Sequence, residues 1–351
     1  MIEVMEPTTQ KKRIEYIDLM KGVCITLVVL LHVIWTFNID IVDNVLSNIR
    51  MPLYFFLSGL FFKKYSNFKE FAIKKTNKLI IPYLFFSLIP YCLLAPFFNE
   101  AYKTSTFTVD FTNPSFYGLA IATPYNGPLW FLRCLFMTNI FYYIFKIFTD
   151  RYSRIVQIVI LICIVTLVAL TSDIIKNFLI INGNTLLSHF VLNTFLAPFV
   201  AMPFLYGAEW VRRVGLLNKD FNLKKQMLIF ILSIVIWILF AQPLVHFESA
   251  SPGLIFPFMY VSAFAGITAL AIVCKRIKKL FFFSYIGRYS LIVLGTHWPF
   301  IFALQGFFEL RQSIQFIIVL AIMPPTIWFF KTLFPYFTAQ KDIFSYKQVL
   351  H

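Results

Sequence analysis

The sequence predicts an all-α integral membrane protein, a polytopic bundle of about ten transmembrane helices, on three observations. Of its 351 residues 59% are hydrophobic and 19% aromatic, and only 13% are charged, a balance far from that of soluble domains. Apolar runs of about 16 to 22 residues, long enough to span a bilayer with ordinary tilt, recur from one end of the chain to the other. The connections between those runs alternate in basic density. With the amino terminus placed in the cytoplasm, 25 of the 31 Lys and Arg fall on the cytoplasmic side, the bias that orients multi-pass proteins in the cell membrane.

The ten runs lie near 16–37, 48–62, 79–98, 128–148, 155–171, 187–208, 227–244, 253–274, 287–308 and 313–334. Three basic residues precede the first, six, three, five and five occupy the even-numbered connections, and three follow the tenth. Arg50, Lys103, Lys176 and Arg311 mark the opposite side, while Lys21 and Arg133 fall within helices. Both termini are therefore expected in the cytoplasm. Pro198 and Pro203 in the sixth run, and Pro324 and Pro325 in the tenth, imply kinks whose freed carbonyls find partners nearby. Residues 1–10 are polar and lack an apolar stretch with a small-residue cleavage site, so no cleavable signal peptide is expected. A single membrane domain over 1–351 accounts for the chain, with no soluble appendage expected.

The net charge of +15 follows from this topology and suits anionic lipid headgroups, so no nucleic acid partner is needed to explain it. Cys24, Cys92, Cys134, Cys163 and Cys274 lie in or at the ends of apolar runs without Cys-x-x-Cys pairing, and read as buried free thiols rather than disulfides or a metal site. The connection at 97–127 mixes Asn99, Glu100 and Lys103 with Phe107, Phe111, Phe116, Tyr117 and Tyr125. Such aromatics beside hydroxyl and amide groups suit a sugar, and suit an interfacial belt equally well. The connection at 63–78 sets Lys63, Lys64, Lys69, Lys74, Lys75 and Lys78 against Glu70 alone. That cluster serves topology and lipid headgroups, or else holds a phosphate-rich ligand by point charges.

Ionisable residues inside the apolar runs are the candidates for chemistry. The first run carries Asp18, Lys21 and His32, although an Asp or Lys at the centre of a spanning helix costs about 2.5 to 3.5 kcal/mol even on lenient scales. Residues 18, 21, 25, 28 and 32 advance by 3, 4, 3 and 4, so they form one stripe of a helix. Lys21 and His32 return to within roughly 20° of each other and lie about 16 Å apart along the axis. The plainer alternative is a Lys that snorkels and a His bonded to a neighbouring helix, with Asp18 and Lys21 pairing at i, i+3. Arg133, beside Trp130, lies about 8 Å inside the fourth run by helical rise. It either snorkels outward or holds an anionic or carbonyl group within the bundle. Ser290 and His297 are seven residues apart and share a face of the ninth run. His189, His246 and His351 receive no role.

The opening stretch, Arg13-x4-Asp18-x2-Lys21-Gly22 followed by an apolar run to His32, resembles the first helix of the membrane-bound acyltransferase 3 family. The resemblance continues through Met51-Pro-Leu-Tyr-Phe-Phe-Leu-Ser58-Gly59, Lys78-Leu-Ile-Ile-Pro82-Tyr83, Pro128-Leu-Trp130, Gly287-Arg-Tyr-Ser290 and His297-Trp-Pro299, over nearly the whole chain. It implies an O-acyltransferase acting on sugars and other acceptors of the cell envelope. Where the family has Arg-x-x-Arg in the first cytoplasmic connection, this chain has Lys75-x-x-Lys78, which keeps the charge and loses the fork.

The expected activity is therefore transfer of an acetyl group from cytoplasmic acetyl-CoA to a hydroxyl of an envelope polysaccharide or a lipid-linked glycan. No permanently bound cofactor or metal is expected, and homo-oligomerisation is left open. His32 would act as the base or accept the acyl group itself. Lys21, Lys75 and Lys78 would bind the donor, with Asp18, Trp130, Arg133, Ser290 and His297 in support. The alternative is a transporter or flippase that moves a glycan or acyl group without making a bond, a class that also places ionisable residues at mid-membrane. A lipid-dependent glycosyltransferase would want an acidic metal motif, and Asp40 and Asp43 match one poorly.

Overall fold

The computed structural model describes residues 14–33, 40–65, 67–103, 123, 125–183, 185–216, 219, 221–241, 250 and 256–346, with the side chains of 40–44, 95–103, 185 and 186 excepted. Every element among them is helical. In order these are α1 (Glu15–Val33), α2 (Asp40–Leu60), α3 (Phe68–Lys75), a π turn (Thr76–Ile80) and α4 (Ile81–Lys103). A 3-10 turn (Gly127–Leu129) leads into α5 (Trp130–Thr149), then α6 (Arg154–Ile181), α7 (Thr185–Val191), a second π turn (Leu192–Leu196) and α8 (Ala197–Arg213). The chain continues with α9 (Leu223–Leu239), α10 (Phe256–Ile277), α11 (Phe281–Arg288), α12 (Ser290–Phe307) and α13 (Gln312–Leu333). Eight of these helical stretches are long and apolar enough to cross a membrane, and α2 and α9 are further helices of 21 and 17 residues. The polytopic all-α class expected from composition is the one observed.

Each of the ten expected segments falls on a helix, and the differences lie at the ends. The second begins at Asp40 rather than 48, which places Arg50 in the middle of α2, where it is 5% exposed. The basic connection at 63–78 is largely helical, because the Asn67 side chain accepts from the Glu70 backbone N–H at 2.9 Å and caps α3. The ninth begins at Ser290 rather than 287, and a separate short helix, α11, occupies the end of the connection before it. The connection expected at 97–127 contributes a helix as far as Lys103; Phe107, Phe111, Phe116 and Tyr117, like His246 and His351 elsewhere, lie outside the described residues. Tyr125, at the end of that connection, is fully buried against Phe302 and presents no face to a sugar. Cys24, Cys134 and Cys274 are buried free thiols, whereas Cys92 and Cys163 are exposed because their helix faces point away from the bundle.

The two π turns share a cause. Each ends two residues before a proline, Pro82 or Pro198, whose missing N–H and ring crowding would break an ordinary turn. Widening it lets the Ile81 N–H reach the Thr76 carbonyl and the Ala197 N–H reach the Leu192 carbonyl, so the helix runs on. The prolines inside α8 and α13, Pro203, Pro324 and Pro325, likewise leave those helices unbroken.

Helix α1 is the centre of the bundle, packed against α2, α10, α11, α12 and α13. Its contact with α11 is closest: a Cβ on Gly22 would lie 1.9 Å from the Phe283 carbonyl oxygen, and one on Gly287 would lie 1.9 Å from that of Asp18. Two backbones approach this closely only where both carry glycine. Leu19, Cys24, Ile25, Val29 and Val33 of α1 are at most 1% exposed. At the periphery α6 and α9 expose Ile155, Ile162, Leu167, Ile231 and Leu239, a surface stable only against lipid.

Candidate active site

A cavity of about 410 Å³ opens beside α1. Lys21, Ile25 and Val28 line one wall, three members of the stripe that the 3, 4, 3, 4 spacing defines. Tyr54 and Ser58 of α2 face them, Lys75 and Lys78 come from the end of α3 and its π turn, and Ser290 closes the wall from the first position of α12. The structure thus brings together Lys21, Lys75, Lys78 and Ser290. The Tyr54 hydroxyl donates to the Lys21 carbonyl at 3.2 Å, tying α2 to α1 at the cavity wall.

The lysines are held differently. Lys21 lies 5.7 Å from the centroid of the Phe61 ring. Lys75 is half-buried, 5.5 Å from the Phe71 ring centroid, and no carboxylate among the described residues pairs with it. Lys78 is exposed, paired with Asp342 at 3.0 Å, and donates to the Ala339 carbonyl at 2.8 Å. An unpaired ammonium group facing a cavity is available to an anion; one already paired must first exchange partners.

His32 stands in the last described turn of α1, one turn past Val28 or about 6 Å by helical rise, beyond the residues that line the cavity. His297 lies beside it, with ring centroids 5.3 Å apart, and the Trp298 ring meets it edge-on at 4.9 Å. The ring of His297 is fully buried. Its Nδ1 lies 2.9 Å from the Val293 carbonyl and 3.0 Å from that of Leu294. Both partners only accept, so Nδ1 carries the proton and Nε2 keeps a lone pair. That Nε2, and the Trp298 indole Nε1, are buried without a hydrogen-bond partner among the described residues. An acceptor and a donor thus stand next to the His32 imidazole, the pair of functions a reacting hydroxyl and a polarised carbonyl require.

The remaining expected residues lie around this axis and not in the cavity wall. Asp18 is 8% exposed, with its carbonyl against Gly287. Trp130 is half-buried at the start of α5 beside Phe131, which does line the cavity. Arg133 points inward. It is 6% exposed and donates to the Tyr83 hydroxyl at 3.0 Å and to the Asn193 side-chain oxygen at 3.2 Å, with the Phe190 ring 4.9 Å away. Tyr83 follows the first π turn and Asn193 sits within the second, so both prolines help to aim its partners.

Arg50 is a residue to which the sequence reading gave no role in the site. Its carbonyl accepts from the Cys24 thiol at 2.9 Å, which ties α2 to α1. The signal for it was modest: an arginine immediately before the Met51-Pro52 start of a dense apolar run. Tyr54 was missed because a tyrosine in an apolar run looks like any other core aromatic.

No curated protein and no solved structure matches the chain. The family described as an acyltransferase domain matches residues 14–337, from the start of α1 to just past α13. With the helices that match their span and the cavity built on its first helix, the chain belongs to the acyltransferase 3 family and is a multi-pass membrane acyltransferase.

Proposed function

We propose that this acyltransferase moves an acetyl group from cytoplasmic acetyl-CoA to a hydroxyl on an envelope polysaccharide or its lipid-linked precursor. The observation that carries the reading is the alignment along α1 of a lysine-rimmed cavity with a histidine pair one turn beyond it. In this reading Lys21, Lys75 and Lys78 hold the donor's phosphates, and the thioester extends toward His32. His32 takes the proton of the acceptor hydroxyl as its oxygen attacks the thioester carbonyl; the C–S bond breaks and the proton passes to the departing thiolate. An acyl-histidine relay uses the same residue with the bonds made in two steps. His297 supports His32 through its fixed tautomer, and Arg50 and Arg133 supply positive charge within the bundle.

Expression in a host lacking the activity, with mass spectrometry of acetyl esters released by mild base from envelope glycans, tests the reaction. Acetyl esters are expected with the wild type. Their absence, with the protein present in the membrane, would favour transport without bond chemistry.

The positive-inside partition supports ten spans with both termini in the cytoplasm. Thiol labelling at Asn113 and Ser66, both outside the described residues, is expected to report opposite sides of the membrane. Labelling of both from one side would remove the topology and the donor assignment with it. Replacing Lys75 and Lys78 together by Ala is expected to weaken apparent donor affinity about tenfold or more, the loss of two charge-assisted contacts, with acceptor saturation unchanged. Steady-state kinetics in membranes distinguishes the two; an unchanged donor constant would reduce these lysines to topology determinants.

A further inference from the structure

Beyond α13 the chain turns back against α3 and its π turn. The Asn77 side chain, 1% exposed, accepts from the Ile343 and Phe344 backbone N–H groups, both at 3.0 Å, and donates to the Phe344 carbonyl at 2.8 Å. Asn67 donates to the Tyr346 hydroxyl, and Phe337 stacks on Phe85 at 4.9 Å. These contacts fix the segment against α3 and its π turn and place one carboxylate. Asp342 bridges Lys74 at 3.2 Å and Lys78 at 3.0 Å. It is the one carboxylate among the described residues paired with either lysine. Burial opposes its charge, yet the Lys78 and Lys74 ammonium groups hold the carboxyl below the usual carboxylate range.

We propose that Lys74 and Lys78 form a phosphate subsite at the rim of the Lys21 cavity, filled by the Asp342 carboxylate until a phosphate group of the acyl donor displaces it. The inference rests on the reading of the cavity as the donor site. Three features carry it. Lys78 lines the cavity and is bound to Asp342 at once, so a ligand that uses its charge must compete with the tail. The two ion pairs are exposed enough to be weak and screened by salt, with lysine side chains 38% and 45% exposed. The backbone is secured separately by Asn77, so the carboxylate can swing away while the segment stays docked. Asp342 lies past residue 337, where the family match ends.

The test is coenzyme A binding to detergent-solubilised wild type and to Asp342→Asn, which removes the charge and keeps the shape, with inorganic pyrophosphate as a second probe. Asp342→Asn is expected to bind both probes about three- to tenfold more tightly, the scale of releasing two exposed pairs. Lys74→Ala is expected to weaken both. Equal or weaker binding by Asp342→Asn, in a protein whose melting temperature matches the wild type, overturns the inference; Asp342→Ala serves if the first variant does not fold. Tighter pyrophosphate binding with no coenzyme A binding by either version keeps the subsite and removes the donor reading. No binding of either probe by either version removes both.

Discussion

His32→Gln is expected to lower transfer by about 100-fold or more while leaving membrane abundance and donor binding near wild type, since a positioned general base contributes about 10² to 10⁴. Glutamine keeps a polar side chain of similar reach and has no nitrogen that accepts a proton near neutral pH. It can also satisfy its surroundings, because its amide N–H groups can donate to the buried lone pair on His297 Nε2. A large loss with normal abundance would then report chemistry and not folding. His32 lies one turn past Val28 and outside the residues that line the cavity, so coenzyme A binding is expected to survive. Activity within a few fold of wild type would sink both the base and the acyl-histidine assignments. The search would then move to His297, whose protonated Nδ1 and free Nε2 give it the correct form for a base.

Much of this arrangement was legible because helices in lipid must be long, apolar and internally bonded, and the apolar runs therefore mark them directly. The stripe on α1 was legible for a second reason: helical periodicity fixes which side chains share a face before any partner is known, and Lys21, Ile25 and Val28 do share the cavity wall. Hydropathy hid what lay outside the runs. Asp40, Asp43 and Asn44 concealed the first two turns of α2. Six lysines concealed α3, although Asn67 and Glu70 stood at cap spacing in plain view. The break at Tyr289 has no local announcement, since both flanking segments are apolar. It follows from packing, because α11 must lie flat enough against α1 for Gly22 and Gly287 to meet. The fold-back of the tail onto Asn77 and Lys78 joins residues more than 260 positions apart, a pairing that no local pattern encodes.

That glycine contact sets the second large effect. Gly287→Ala is expected to destabilise the protein by about 2 to 4 kcal/mol, at or above the usual range for overpacking, and to abolish transfer although no chemical group is removed. The added Cβ would lie 1.9 Å from the Asp18 carbonyl oxygen, 2.4 Å from the Gly22 nitrogen and 2.8 Å from the Gly22 Cα. All three are backbone atoms, so no rotamer change relieves the clash and the two helices must separate. Separation moves α1 as a unit, and α1 carries Lys21 and His32 on a single rigid face. The same displacement disturbs Tyr54, which bonds the Lys21 carbonyl from α2. Gly127→Ala is the control, since a Cβ there meets nothing within 4 Å among the described residues. Each variant adds one methyl group to the same protein, at the C-terminal end of α11 for Gly287 and at the first position of the 3-10 turn for Gly127. Melting temperatures in detergent, alongside acetyl transfer in membranes, are expected to fall together for Gly287→Ala and to stay level for Gly127→Ala. A Gly287→Ala protein that melts with the wild type would mean that α1 and α11 do not pack backbone to backbone. The placement of Lys21 on the cavity wall would then lose the support that fixes it.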